Sequence, residues 1–291
     1  MRNSVIDNNA SDLSNRKLPN ALTLFIVSAL FVLGIAGCGG GGGGGDDSSG
    51  DNTDGSGLST DACGDIGLKI FTGTSCSGSE RSAVVQITTL FTNGATALCS
   101  GTLITSTQVL TAGHCFPGGS AAVRAIVVSA AGAQIEANDL QIHPGYFEDE
   151  ANQAIFNDAA VVQVSSPIGI APIPLGTSRA VASGDVIDIF GYGLDEGGAN
   201  GTLKSGQMLV SNVTANHIVA VYGNEGSNTC SGDSGGPAIQ LLNGTAAVVG
   251  ITSSGSAAAA CQIGDVSLFA YILDSSLLQF VLTVVPGAAQ V

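Results

Sequence analysis

From Ala83 onward the chain advances in short apolar runs broken by Gly, Asn, Ser and Pro: Val84 to Leu90, Gln108 to Thr111, Val123 to Val128, Val161 to Val164, Val186 to Ile189, Ile218 to Val221 and Ala246 to Ile251. Their length and β-branched content suit pleated strands. Turn signals recur at regular spacing and no helical periodicity intervenes, so an all-β chain of antiparallel sheets closed as barrels is expected. One segment departs from this. Asp274 is an acidic N-cap candidate, and Leu277, Leu278, Val281 and Leu282 follow at helical spacing, so a short helix is expected over about 274–282.

The run Asn228-Thr-Cys-Ser-Gly-Asp-Ser-Gly-Gly-Pro237 places one hydroxyl, Ser234, among glycines that only a tightly turned, closely approached backbone requires. A serine hydroxyl is a weak nucleophile at neutral pH and needs a base and an orienting carboxylate. His114 stands in Leu110-Thr-Ala-Gly-His-Cys115, and Asp158 opens the apolar run that continues to Val164. His143 and His217, in a His-Pro-Gly turn and a strand, read as structural. Asp139, Asp149 and Asp185 read as loop charges.

With these motifs in the order His, Asp, Ser, the chain from about Ile70 resembles the trypsin/chymotrypsin family of serine endopeptidases. Cys99-Ser-Gly-Thr-Leu-Ile104, Ile142-His-Pro-Gly-Tyr146 and Gly191-Tyr-Gly193 fit that family too. The resemblance implies two six-stranded antiparallel β-barrels, about 70–167 and 168–272, with the active site between them. It implies a triad of His114, Asp158 and Ser234, an oxyanion hole from the N–H groups of Gly232 and Ser234, and an acyl-enzyme route to peptide hydrolysis. Ser253 matches the serine that buttresses the aspartate and begins the strand on which substrate pairs.

The specificity pocket is expected around Asn228, Gly255 and about Ser267. Asn228 occupies the floor position where trypsin-like members carry an aspartate, and Ser254 replaces a pocket-edge Trp. An uncharged pocket with poor cleavage after Arg or Lys is therefore expected. Lys69-Ile-Phe-Thr-Gly73 resembles the family's activation site, although Phe71 and Thr72 stand where Val and Gly are usual. There a cut after Lys69 frees the Ile70 amine to pair with Asp233, which makes the precursor a zymogen and calls for an activating protease.

The N-terminus carries Arg2, Arg16 and Lys17 before an apolar run from Ala21 to Leu33, the form of an export signal over 1–37. That run is shorter than the roughly 20 residues of a bilayer-spanning helix. Leu33-Gly-Ile-Ala-Gly-Cys38 resembles the lipobox of bacterial lipoproteins, which implies cleavage before Cys38, a lipid on its sulfur, and anchoring at the periplasmic or cell-surface face of a membrane; an ordinary secretory signal is the alternative. Residues 38–69 then form a tether and pro-segment, Gly/Asp/Ser-rich and unable to bury apolar area. Residues 70–291 form the protease domain. The seven cysteines leave six once Cys38 is set aside, and six allow 15 connectivities. The family's bridges imply Cys99–Cys115 and Cys230–Cys261, which leaves Cys63 for Cys76.

A net charge of -15 excludes nucleic acid as a partner, because nothing here neutralises a row of phosphates. No metal constellation or cofactor motif appears, and the stretch from Ala121 to Glu136 lacks the acidic cluster of a calcium loop. A monomer acting on a protein or peptide is expected. The main rival is a catalytically inactive homologue serving as a surface binding module. A quality-control protease with a peptide-binding domain and an α/β-hydrolase esterase fit the chain less well.

Overall fold

The computed structural model describes residues 74–75, 82–130, 132–223, 226–256 and 261–291. Its strands are β1 (Thr74–Ser75), β2 (Val84–Phe91), β3 (Thr96–Leu103), β4 (Gln108–Thr111), β5 (Val123–Ala130), β6 (Ala133–Ile142), β7 (Phe147–Asp149), β8 (Ala154–Phe156), β9 (Ala160–Val164), β10 (Val186–Gly191), β11 (Lys204–Val213), β12 (His217–Val221), β13 (Pro237–Leu242), β14 (Thr245–Gly255) and β15 (Val266–Tyr271). One helix, α1 (Ser275–Val284), ends the chain's regular structure.

Strands β2-β3-β4-β9-β6-β5 close into a six-stranded antiparallel barrel. A second sheet runs β1-β11-β10-β13-β14-β15-β12, and β12 pairs back onto β11, so its last six strands close as well. The all-β, two-barrel class expected from the sequence is the observed one. Alternation decides which side chains fill each interior. In β2, Val85 and Ile87 are buried and join Leu103, Leu110, Val128 and Val162 in the first core. Ile187, Ile189, Met208, Ile218, Val249 and Phe269 fill the second.

Three features lay beyond the sequence reading. Thr74 and Ser75 pair with Ser205 and Lys204 at the edge of β11, so this segment joins the second sheet although the sequence grouped it with the first barrel. The short hairpin β7–β8 stands between β6 and Asp158. The terminal helix packs on the first barrel: Leu277, Val281 and Val285 join the cluster that contains Ile87 and Leu110. Asp274 caps that helix as expected, with one carboxylate oxygen accepting from the N–H groups of Ser276 and Leu277. No helix among the described residues is long and apolar enough to cross a membrane.

Candidate active site

His114 sits in a single helical turn, Gly113–Cys115, just past β4. The Cys99–Cys115 disulfide ties that turn to β3. Asp158 precedes β9 and follows Asn157, whose φ of 52° turns the chain into the cleft. The side chain of Asp158 is sealed from solvent, while that of His114 is 21% exposed. Their elements are adjacent because β4 pairs with β9, Thr111 lying opposite Ala160.

Asp158 is held by three donors. The His114 Nδ1 lies 2.7 Å from Oδ2, the His114 backbone N–H donates to Oδ1 at 2.9 Å, and the Ser253 hydroxyl donates to Oδ2 at 2.5 Å. Burial alone would push this carboxyl up, but the His114 charge and these hydrogen bonds hold it below its ordinary 3.8. Burial likewise pulls the His114 imidazole down. The Asp158 charge and hydrogen bond, with a lesser push from Glu148, more than offset this and hold it above 6.5.

Ser234 lies just before β13, in a loop docked against the first barrel. Ser100 is the clamp: its N–H donates to the Ser234 carbonyl at 2.8 Å, its hydroxyl donates to the Gly232 carbonyl at 2.8 Å, and that hydroxyl accepts from the Tyr192 N–H at 2.9 Å. Gly235 has φ +83°, and a Cβ there would stand 2.1 Å from the Thr111 hydroxyl and 2.9 Å from the Ala112 nitrogen. The residue after the serine is thus pressed on the strand end that leads to His114.

The carbonyls of Ser231 and Asp233 accept from Leu194 and Gly236 at 3.0 and 2.8 Å. A trans peptide points its N–H away from its C=O, so the Gly232 and Ser234 N–H groups are directed away from Leu194 and Gly236. Gly232 has φ +100°, and a Cβ on it would sit 2.9 Å from the Gly193 Cα.

Asp233 is buried and accepts from the Gly193 N–H at 2.8 Å and the Cys230 N–H at 2.8 Å. Burial pushes its carboxyl up to about 6, against these hydrogen bonds and the Lys204 charge. Lys204, itself 3% exposed, donates to the carbonyls of Gly193 and Ala199 at 2.9 and 3.0 Å and lies 3.3 Å from Asp195. Gly193 therefore carries a buried cation on its C=O and a buried carboxylate on its N–H. Neither Ser100 nor Lys204 was singled out by sequence. Ser100 did lie inside a quoted motif, and a buried lysine has no local signature.

A recess of about 240 Å3 opens beside Ser234. Ser253 and Gly255 line it. Asn228 is buried behind it, its Oδ1 accepting from the Thr229 N–H and the Ser267 hydroxyl, both at 2.9 Å. The expected uncharged lining is corrected: Asp265 lies in the wall. It stands 37 residues after the floor position, just before β15, and only the pairing of β15 with β14 carries it there.

The Cys230–Cys261 bridge is present beside this recess. Lys69, Ile70, Cys38, Cys63 and Cys76 lie outside the described residues. His143 donates through Nε2 to the Ser276 carbonyl at 3.2 Å and His217 to the Ile155 carbonyl at 2.7 Å, both packing contacts. The described residues hold no group of three or more side chains fit to bind a metal.

Comparison with known proteins points the same way as the geometry. The trypsin family profile matches residues 70–274. Brachyurin of Leptuca pugilator is 32% identical over 203 residues, covering 60% of this chain and 84% of that protein. Trypsin of Xenopus laevis is 29% identical over 194 residues, 59% of this chain and 75% of its own. A trypsin-like protease of Streptomyces glaucescens is 28% identical over 161 residues, 48% of this chain and 58% of that one. Among solved structures, HL collagenase superposes with a TM-score of 0.60 at 16% identity, covering 76% of this chain and 97% of its own, a likeness of fold.

Proposed function

The chain belongs to the trypsin family of serine proteases, and on that premise we propose that it is a serine endopeptidase working through an acyl-enzyme on Ser234. The observation that carries this reading is the His114–Asp158 pair, 2.7 Å apart, its carboxylate buried and buttressed by Ser253, next to a glycine loop that carries Ser234. His114 takes the Ser234 proton as the hydroxyl attacks the peptide carbonyl, then gives it to the leaving amine. Asp158 fixes the tautomer by accepting from Nδ1, which leaves Nε2 as the base. The tetrahedral oxyanion is received by the N–H groups of Gly232 and Ser234, whose direction the Leu194 and Gly236 contacts support. Water, activated by the same imidazole, then releases the acid.

The test is labelling by a fluorophosphonate probe, mapped to Ser234, with hydrolysis of a peptide library. Loss of both in Ser234→Ala and His114→Ala is expected. No labelling favours the inactive binding module.

The finer parts of the reading concern the N-terminal region. Export, retention through lipid on Cys38, and a zymogen cut after Lys69 are proposed from the sequence motifs there. If Cys63 pairs with Cys76, the bridge spans the cut, and the matured domain stays tethered to its lipid. Reducing agent added after cleavage then releases it from membranes; no release removes the bridge from the scheme. The two described disulfides accord with an oxidising compartment.

A further inference from the structure

We infer that Ser100 is a positioning residue for the oxyanion hole: reaching over from the first barrel, its buried hydroxyl holds the Gly232 carbonyl and so keeps the Gly232 N–H on the developing charge. This rests on the reading of Ser234 as nucleophile and deepens it. The need for such a hold follows from Gly232 itself. At φ +100° it occupies backbone space that side chains rarely adopt, and without a Cβ the opposite φ is equally open to it. Rotation there would swing its N–H out of the hole, so both peptides that meet at this glycine have to be fixed. The preceding one is held at the Ser231 carbonyl by the Leu194 N–H at 3.0 Å. The following one is held at the Gly232 carbonyl by the Ser100 hydroxyl at 2.8 Å.

Ser100 is sealed from solvent, so water does not stand in for its hydroxyl. Each of its polar groups is engaged. The hydroxyl accepts from the Tyr192 N–H at 2.9 Å, the backbone N–H donates to the Ser234 carbonyl at 2.8 Å, and the backbone carbonyl accepts from the Thr111 hydroxyl at 2.7 Å. A hydroxyl has a single proton to give, and with the Tyr192 N–H on its lone pair that proton goes to the Gly232 carbonyl. The loop is also pressed on Ser100 beyond the nucleophile. A Cβ on Gly235 would stand 2.4 Å from the Ser100 carbonyl, and one on Gly236 would stand 3.2 Å from the Ser100 Cβ. Ser100 belongs to β3 of the first barrel, whereas Gly232 and Ser234 lead into β13 of the second. Thr111 ends β4, the strand that runs on to His114. One residue therefore ties the hole to the strand end that carries the base, and the hole takes its shape only when the barrels dock.

The test is Ser100→Ala, which keeps the backbone N–H on Ser234 and removes only the hydroxyl. Active-site concentration is set by fluorophosphonate titration carried to completion, and one peptide substrate is followed at steady state. Per active site, kcat is expected to fall by about tenfold to hundredfold with KM changed by less than about twofold, a smaller loss than that of a whole oxyanion donor. A peptide aldehyde, whose adduct with Ser234 places an oxygen in the same hole, should weaken by the same factor as kcat/KM. The corresponding peptide alcohol, which forms no adduct, should bind as before. An unchanged kcat per active site, a rise in KM alone, or equal weakening of aldehyde and alcohol overturns the assignment and leaves Ser100 as packing between the barrels. Should the variant fail to fold, wild-type protein decides. In a crystal structure of the phosphonylated enzyme, the phosphonyl oxygen should lie on the Gly232 N–H with the Ser100 hydroxyl still on the Gly232 carbonyl. An adduct whose oxygen lies elsewhere, or in which the hydroxyl has left that carbonyl, overturns it equally. Absence of any titratable Ser234 in the wild type sinks the peptidase reading itself, a result separate from the effect of the variant.

Discussion

The Nδ1 of His114 lies 2.7 Å from Asp158 Oδ2 while the backbone N–H of the same histidine holds Oδ1 at 2.9 Å, so one carboxylate fixes both the ring and its backbone. Asp158→Asn keeps the shape and reverses one polarity. The new amide donates to Nδ1, moves the ring proton to Nε2 and removes the base that Ser234 needs. We expect kcat to fall by about 10⁴-fold with KM little changed, measured by steady-state kinetics on one peptide. A fall of less than tenfold means that the tautomer is set elsewhere.

The acid limb of activity follows from the raised His114 pKa. Only the neutral ring accepts the serine proton, so kcat/KM should drop as pH falls through a value above 6.5. Glu148 adds to that rise from an exposed position. Glu148→Gln should shift the limb to lower pH at low salt, and the shift should shrink in salt of about 1 M, where screening acts within about 3 Å. A limb that does not move assigns the whole rise to Asp158.

Ser253 supports the site through a single hydrogen bond, and its loss has a defined pH signature. The Asp158 carboxyl is held below 3.8, so its contribution to stability is present above that value and is lost as pH falls through the folded pKa. Ser253→Ala removes one donor from the charged form and should destabilise the fold by about 1–3 kcal/mol at pH 7. Denaturant melts at pH 7 and pH 3 should show that cost narrowing at the lower pH. An equal cost at both means that the hydroxyl matters for packing alone.

How much of this was legible in the chain depended on how local each signal was. Every apolar run from Val84 to Leu90 through Ala246 to Ile251 falls within a strand, because period-two burial is written in adjacent residues. β3, β6, β11, β13 and β15, with the short β1, β7 and β8, lay outside those runs: β6 is mostly solvent-facing, and β11 mixes Lys204, Ser205 and Gly206 into its buried stretch. His114, Asp158 and Ser234 were found because each sits in a short motif dictated by its own turn. Ser100, Lys204 and Asp265 act through partners 132, 11 and 9 residues away, and Asp265 reaches the recess only through strand pairing. Such positions become visible when the barrels close.

Lys204 supports the loop below the serine from the other side of Gly193. Its ammonium is nearly buried, and Lys204→Met would leave the Gly193 and Ala199 carbonyls and part of Asp195 without their donor. Asp195 is 25% exposed, which lets water recover some of the loss, so the cost should be about 1–3 kcal/mol rather than that of a fully buried pair. The variant also removes the charge that eases Asp233 ionisation. We therefore expect a lower kcat whose deficit deepens toward acid pH in a plot of acylation rate, because Asp233 takes up its proton sooner without the Lys204 charge. A stability loss with an unchanged pH profile would confine Lys204 to a structural role.

Asp233 makes the proposed activation step measurable. Its carboxyl is raised from 3.8 to about 6, so folding favours the protonated form and stability falls as pH rises through that window, by up to about 3 kcal/mol for two units. An ammonium arriving at this carboxylate would reverse the sign, because the charged form would then be the one stabilised. Lys69→Gln, which blocks the cut, should accordingly melt at a lower temperature at pH 7 than at pH 4.5, whereas protein beginning at Ile70 should not. The blocked form should also turn over peptide about 10²- to 10³-fold more slowly, the worth of one oxyanion donor held out of place. N-terminal sequencing identifies the start of the active species. Full activity in Lys69→Gln, together with the pH dependence of the cut form, would show that Asp233 finds its cation without cleavage.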